Sequence, residues 1–504
     1  MNAGAVSPVR RSMLRGYHAF PEHPLKSTVT GLLHQRPFQR ADLPSLVSSL
    51  TLMPSRWQAT LRGCEQHEPV GSALYASAPE QYDADYRQLT QLCEFFNVPA
   101  PPHGETFFVT NLGACKLRWE RHTEAQTYTF SRLATEEETQ QPFAESSVAL
   151  SVIPKKWLEE LPGLVLAGVH VAMLETAPDD FAEIKPHFHR DGVVTGCSVD
   201  LGRFRVYSDW RTHSDGLGRI LVHGMPDEAP HKHTAAGKVL NRVLELDKYR
   251  ALALLALPFA QKLAPRIDQL NEELIDVTRA MLRTRAAEEE GHGSGEGGAA
   301  RGAESEDELA SQQLLLDRLC TLSAEGNKLS SSSSFRFAAS AAYAKVVSDR
   351  IAFLQMERIE GLPSMETFLG QALHPAVRTC DAVAARLERL RTEMAHTADL
   401  LRTSLTVQQQ AQNIRELEAL QANSRTQLLL QESVEGLSVV AITYYSTGVI
   451  GYVLKAADKF HLLPDSLPVE IALGMSVPVI GVAVFVGLHR LKASVHAGAG
   501  GTKH

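Results

Sequence analysis

Two hydrophobic periods divide the chain. Up to about residue 235, apolar positions come in short runs rich in β-branched and aromatic residues: Phe107–Val109, Lys116–Trp119, Thr127–Phe130, Val165–Met173 and Phe204–Tyr207. Such runs predict strands. The spacing over Asp83–Phe96 predicts a helix, which Val98-Pro99-Ala100-Pro101-Pro102 must end, because proline removes a backbone donor and fixes φ. After Gly237 the strand signals stop. Leu240, Leu244, Tyr249, Leu252 and Leu255 follow a helical period through residues 238–287, with Pro258 and Pro265 as kinks. The segment 288–308 holds mostly Gly, Glu, Ala and Ser and reads as a disordered insert between helices. Ser330–Ser334 reads as a turn or a helix start.

Ala376–Glu435 contains neither glycine nor proline. Unbroken, its 60 residues would make a helix about 90 Å long at 1.5 Å per residue. Val383, Leu387, Leu390, Met394, Thr397 and Leu401 follow the 4-3 spacing of a coiled-coil seam, which Gln408–Gln412 weaken. A single long helix and two helices joined near Asn413 both fit the pattern.

Two stretches then lose their charges altogether: Gly436–Leu454 over 19 positions and Ile471–Leu488 over 18. Each matches the roughly 20 residues needed to cross a hydrocarbon core of about 30 Å. The linker 455–470 is too short for a domain, so the pair predicts a transmembrane hairpin. The first stretch is the more polar. Its Thr443, Ser446, Thr447, Gly448 and Gly451 form a small, polar face expected to pack against the second span or a neighbouring subunit. The fold class expected is therefore α+β. A basic N-terminal tail (1–22) precedes a mixed α/β soluble domain (23–235) and a long helical, partly coiled-coil-like region (236–435). The two-helix hairpin (436–490) and a flexible tail (491–504) complete the chain.

Composition narrows the function classes. Of the 504 residues, 44% are hydrophobic and 21% charged, too polar for a polytopic membrane protein and too apolar for a disordered chain. The net charge of −8 argues against a nucleic-acid partner. Six scattered cysteines without a C-x-x-C pair fit a reducing compartment rather than a disulfide framework or a zinc knuckle. Arg10, Arg11 and Arg15 precede the first acid, Glu22, without an apolar secretory run; they read as a frayed basic tail, with a mitochondrial transit peptide as the rival. With no export signal, the large N-terminal part and the C-terminus are expected on the cytosolic side, or the matrix side if the membrane is mitochondrial.

Candidate chemistry is sparse. His187 and His189, with His223, His231 and His233, could be read as metal ligands, since alternation in a strand would put the first two on one face. No Cys or Glu stands at ligand spacing beside them, and surface histidines are the expectation. Asp209, Arg211, His213, Asp215 and Arg219 crowd one glycine-punctuated turn, expected to tie the domain together by hydrogen bonds rather than act as an acid–base pair. Trp119 is expected to pack, with Glu120 and Arg121 solvated or paired. No P-loop, dinucleotide fingerprint, G-x-S-x-G or H-E-x-x-H occurs. Hence no catalytic residue, metal or cofactor is expected.

Several blocks in order resemble one family: residues 23–38 (HPLKSTVTGLLHQRPF), 116–130, 209–222, 240–260, 334–351, 374–380 and 434–452. It is the uncharacterised membrane-anchored family catalogued as domain of unknown function 3422. The resemblance runs from His23 to about Lys492 and implies membrane anchoring without an activity. The chain departs from the family in the 288–308 insert and at Leu32, where an acidic residue is expected. The layout also resembles, more loosely, that of CorA-type magnesium channels. Those end their first span in Gly-Met-Asn, whereas Gly451-Tyr452-Val453 here lacks the Asn. The expected function is a membrane-anchored structural or interaction protein that is not an enzyme, with the bilayer and a homo-oligomer as partners. The alternative is an oligomeric CorA-like cation channel or transporter.

Overall fold

The computed structural model describes residues 23–26, 29, 40–54, 79–178, 180–224, 232–291, 300–459 and 469–499. The chain forms two compact units, Met1–Leu400 and Leu401–His504.

The first unit is built on a nine-stranded sheet. Its elements in chain order begin with β1 (Ser45–Met53), α1 (Pro79–Phe95), β2 (Phe107–Asn111), β3 (Lys116–Arg121), β4 (Gln126–Leu133), α2 (Glu136–Gln140), α3 (Lys155–Glu159) and β5 (Leu164–Leu174). They continue through α4 (Phe181–Ile184), β6 (Thr195–Val199), β7 (Phe204–Ser208), β8 (Gly218–Gly224), α5 (Lys232–Leu254), α6 (Ala256–Gly291), α7 (Ala300–Leu354) and β9 (Glu357–Arg358). The helix α8 (Met365–Lys459) begins in this unit, and α9 (Val469–Ala499) belongs to the second.

The strand order is β2-β3-β4-β1-β5-β8-β7-β6-β9, antiparallel except for the parallel pair β5–β8. Every expected strand is present. Three substantial strands lack a strong sequence signal: β1, β6 and β8. β1 is an interior strand, between β4 and β5 and buried along its whole length, yet it reads SLVSSLTLM. Its hydroxyls are satisfied inside the sheet: Ser48 meets His170 Nδ1 at 2.7 Å, Ser49 meets Thr129 at 3.2 Å and Thr51 meets Thr127 at 3.4 Å. A buried hydroxyl is tolerable only with such a partner.

Alternation along the strands gives the sheet two faces. On one face Leu50, Leu52, Leu117, Trp119, Tyr128 and Phe130 pack with Leu89, Leu92 and Cys93 of α1 and Trp157 of α3. Trp119 packs as expected. On the opposite face Val169, Val171, Met173, Val206 and Val222 pack with Val239, Val243 and Leu246 of α5, Val347 of α7 and Met365, Leu369 and Leu373 of α8. This second core is why the helices after residue 235 do not stand apart. The helices α5 and α7 and the start of α8 bury apolar stripes on the sheet and share one compact unit with it.

The helical region differs from expectation at four points. The chain breaks at Leu255, so Pro258 sits in the first turn of α6, where its missing donor costs nothing, and Pro265 lies within the helix. The 288–308 segment is helical at both ends: α6 runs to Gly291 and α7 starts at Ala300, with 292–299 outside the described residues. Its Glu, Ala and Arg residues are good helix formers, which outweighed the glycines at those ends. Ser330–Ser334 lies inside α7, where Ser331, Ser332 and Ser333 donate back to carbonyls of Asn327 and Leu329 and so compete little with the helical ladder. The long segment is one helix through Asn413, extending from Met365 to Lys459 over 95 residues.

Within the first unit the α8 seam is intramolecular. Val383, Leu387, Leu390 and Met394 are buried, with Ala398 taking the place expected of Thr397. Arg386 pairs with Asp268 of α6, and Arg391 donates to Asn327 of α7 at 2.8 Å.

Among the described residues one helix, over Met365–Val453, is long and apolar enough to cross a membrane, with a mean hydropathy of 1.3 in its apolar stretch. Leu473–Gly487 is a shorter apolar stretch. The helix α9 continues to Ala499, so most of the tail expected from 491 is helical, in keeping with its Leu, Lys and Ala content. The basic N-terminus 1–22 and Leu32 lie outside the described residues.

Candidate functional site

Four of the five residues expected on the polar face of the first apolar stretch do share one face. Thr443, Ser446 and Thr447 are half-buried and Gly451 is buried, at the 3–4 spacing of a helix. That face meets α9. A Cβ placed on Gly451 would lie 3.1 Å from Leu473 Cδ1, and one placed on Gly481 would lie 3.8 Å from Thr443 Cγ2. The two contacts run antiparallel along the helices. Thr443 and Thr447 donate their hydroxyls to carbonyls one turn back, at 2.7 Å each, so neither needs a partner on α9. Gly448 is the exception: it is exposed, and its Cβ position has nothing within 4 Å. The helical rotation of 100° per residue carries it off the face that Thr447 and Gly451 share.

A second site lies in the first unit, over the half of the sheet made by β3, β4 and β1. There the residues facing α5 are polar. Lys116, Arg118 and Glu120 of β3 stand in register with Ser131, Thr129 and Thr127 of β4, and these with Val47, Ser49 and Thr51 of β1. Helix α5 covers this floor with Leu240, Asn241, Leu244, Glu245 and Lys248, leaving a cavity of about 760 Å³. Its inner end is an ion cluster. Arg118 donates to Glu120 at 2.7 Å and to Asn241 at 2.9 Å, and Lys248 Nζ lies 3.5 Å from Glu120 and 3.0 Å from His122. Burial pushes the Glu120 carboxyl up, but the charges of Lys248 and Arg118 outweigh it and hold it at about 2. Glu120 is thus paired, and Arg121 lies 3.8 Å from Asp85. Glu245, in the wall, pairs with Arg242 and Arg350 at 2.7 and 2.6 Å.

Of the histidines and acids singled out from the sequence, His187, His189, Asp209, Arg211, His213 and Arg219 form a structural knot, whereas His223 meets the Thr176 carbonyl at 2.6 Å and His233 lies 3.8 Å from Asp42. Asp209 accepts from the backbone of His189 at 3.1 Å and Arg211 at 3.2 Å, and lies 3.1 Å from His213 Nε2. Arg219 donates to the His187 carbonyl at 3.1 Å. Lys185–His187 is a short 3₁₀ turn, so His187 and His189 are not paired on a strand face; Pro186 starts that turn by fixing φ and withholding a donor. His231 lies outside the described residues. Among the described residues no group of three or more His, Cys, Asp or Glu could hold a metal ion.

A Ser–His–Asp series went unread in the sequence, because its members are 122 and 45 positions apart. Ser48 Oγ meets His170 Nδ1 at 2.7 Å, and His170 Nε2 lies 3.5 Å from Asp215. Ser48 is wholly buried in the middle of the sheet, so no substrate reaches it. The series ties β1 to β5 and to the loop before β8. The hydrogen bond from His170, outweighing burial, holds Asp215 at about 2. The polar floor was legible in principle: Thr127-Tyr128-Thr129-Phe130-Ser131 alternates hydroxyls with aromatics, the signature of a strand with one wet face.

The sequence pattern of the family described as Protein of unknown function (DUF3422) matches residues 21–292 and 299–495, nearly the whole chain. No curated protein and no solved structure matches.

Proposed function

The chain belongs to the family described as Protein of unknown function (DUF3422), and from that premise we propose a membrane-anchored structural or interaction protein. Its two C-terminal helices form a transmembrane hairpin, with the sheet-containing unit on the cytosolic or matrix side. One observation carries the reading. The faces of α8 and α9 turned away from each other expose large apolar side chains: Tyr444 at 74%, Tyr452 at 79%, Met475 at 72% and Val479 at 68%. A soluble chain rarely leaves such a continuous apolar surface in water, whereas lipid covers it without loss. The uncharged lengths, 19 and 18 residues, suit a bilayer. The half-buried face between the helices is the small-residue interface that spans use to approach closely.

Alkaline extraction of membranes tests the anchor. The full chain should stay in the membrane pellet, and a chain ending at Glu435 should move to the supernatant. Tags at Met1 and His504 should be shielded on the same side, and a tag within 460–468 should be accessible from the other. Release of the full chain by alkali refutes the anchor, and tags on opposite sides refute the hairpin. A ring-shaped oligomer that passes cations in liposomes would replace this reading with the channel.

A further inference from the structure

We propose that the cavity between the polar half of the sheet and α5 is a binding site for a small phosphorylated polyol. The proposal is independent of the membrane anchor. A volume of about 760 Å³ falls within the range of small-molecule sites. Three parts of the wall specify the ligand.

The floor carries hydroxyls instead of a core. Ser49, Thr127, Thr129 and Ser131 project into the space between sheet and helix, where apolar residues fill the corresponding region over β5 and β8. A row of hydroxyls, each able to donate once and accept twice, matches a molecule that is itself rich in hydroxyls. The roof supplies Leu240 and Leu244, half-buried and facing the same space. A polyol ring or chain has such an apolar C–H side opposite its hydroxyls.

The mouth fixes the charge. Lys116 is exposed at the end of β3 beside the hairpin residues Asn111 and Gly113, and Arg40 lies exposed at the same cavity. Neither cation has an ion pair among the described residues. The acid beside Arg40, Asp42, has His233 at 3.8 Å. Deeper in, Arg118 keeps a buried Nε with no hydrogen-bond partner, an unmet donor on the cavity wall. Two exposed cations around one opening, Lys116 and Arg40, favour an anionic group, and phosphate is a group that such donors bind well. The inner end is closed to anions by Glu120, so the orientation follows: phosphate at the mouth, hydroxyls along the floor.

The test is isothermal titration of the full-length protein in detergent. The probes are glucose 6-phosphate, glucose, inorganic phosphate and a short-chain phosphatidylinositol, which presents the same chemistry as a lipid headgroup. The sugar phosphate or the headgroup should bind at least tenfold more tightly than glucose or phosphate alone. Whichever of the two binds more tightly is the source. Lys116→Ala, at an exposed site that the fold does not need, should weaken binding about tenfold, the equivalent of 1.4 kcal/mol. Thr129→Val, which keeps the strand-favouring shape, should weaken it about fivefold through one lost hydrogen bond. No binding of the phosphorylated probes overturns the proposal. So does equal affinity for inorganic phosphate, which would reduce the site to an anion hole, and so does binding that both variants leave unchanged.

Discussion

The ion pair between Glu124 and Arg336 makes the sharpest test of how the first unit is held together. Glu124 sits in the turn between β3 and β4, which His122 and Ala125 close with a backbone hydrogen bond of 2.8 Å, and Arg336 lies on α7. The guanidinium grips the carboxylate with two bonds, 2.6 and 3.1 Å, and each side chain is only 1% exposed. Tyr343 stands beside them, its ring 5.9 Å from the guanidinium and its hydroxyl pKa raised by burial and by Glu124. Removing one partner strands a charge without water. Arg336→Met should therefore destabilise the unit by about 3–5 kcal/mol, and Glu124→Gln by about 3 kcal/mol. The double variant strands no charge and should lie within about 1–2 kcal/mol of wild type, since a buried pair gains little net energy over neutral residues of similar size. The coupling between the sites is then several kcal/mol, far above the few tenths expected of independent sites. Urea unfolding followed by the core tryptophans Trp119 and Trp157 reads it without salt screening the pair. A double variant whose loss equals the sum of the single losses would refute the reasoning, as would single losses below about 1 kcal/mol.

Two further outcomes follow from the same geometry. Glu120 is held at about 2, below its ordinary 4.5, so its stabilising effect is fully present above pH 4.5 and is lost as pH falls through about 2. Acid unfolding curves of wild type and Glu120→Gln should converge over that window, and curves that stay parallel would rule out the assigned charge. In the second unit, Gly451→Leu should push α8 and α9 apart, because a Cβ there already lies 3.1 Å from Leu473, whereas Gly448→Leu finds open space. Thermal unfolding in detergent should fall for the first and hold for the second; the reverse order would mean that the helices meet on another face.

The readable parts of the sequence were those where one physical signal acts alone. β-branched and aromatic runs announced β2 to β5 and β7, whereas the absence of glycine and proline from Ala376–Glu435 left one helix or two open, and α8 runs through it unbroken. β1 stayed hidden because its Ser and Thr residues mimic a loop, and only tertiary partners such as His170 and Thr129 make them strand residues. β8 has only the short apolar run Ile220–Val222 after the charged turn from Asp209 to Asp215, and its pairing with β5 and β7 is what makes it a strand. The seam on α8 was correct in period. Its partners, α6 and α7, depend on long-range packing that spacing does not encode. In the first apolar stretch Thr443, Ser446, Thr447 and Gly451 lie on the half-buried side of α8, while Gly448 is exposed on this chain.

The two faces of the sheet explain how one strand can serve both a core and a cavity. β1 sends Leu50 and Leu52 to the α1 side and Ser49 and Thr51 to the α5 side. Buried hydroxyls cost free energy unless paired, and here they pair across the strands, Ser49 with Thr129 and Thr51 with Thr127. In each such pair one hydroxyl donates, so the other's proton and most of the lone pairs stay available. The floor is therefore stable when empty and still able to bind. Replacing Ser49 and Thr129 together by valine would remove that capacity without stranding a polar group, and the strand would keep residues that favour it. Ser48 points the other way, to His170 and Asp215. Its hydrogen bond spans β1 and β5 where no cavity opens, which is why the same residue type is a tie on one face and a ligand contact on the other.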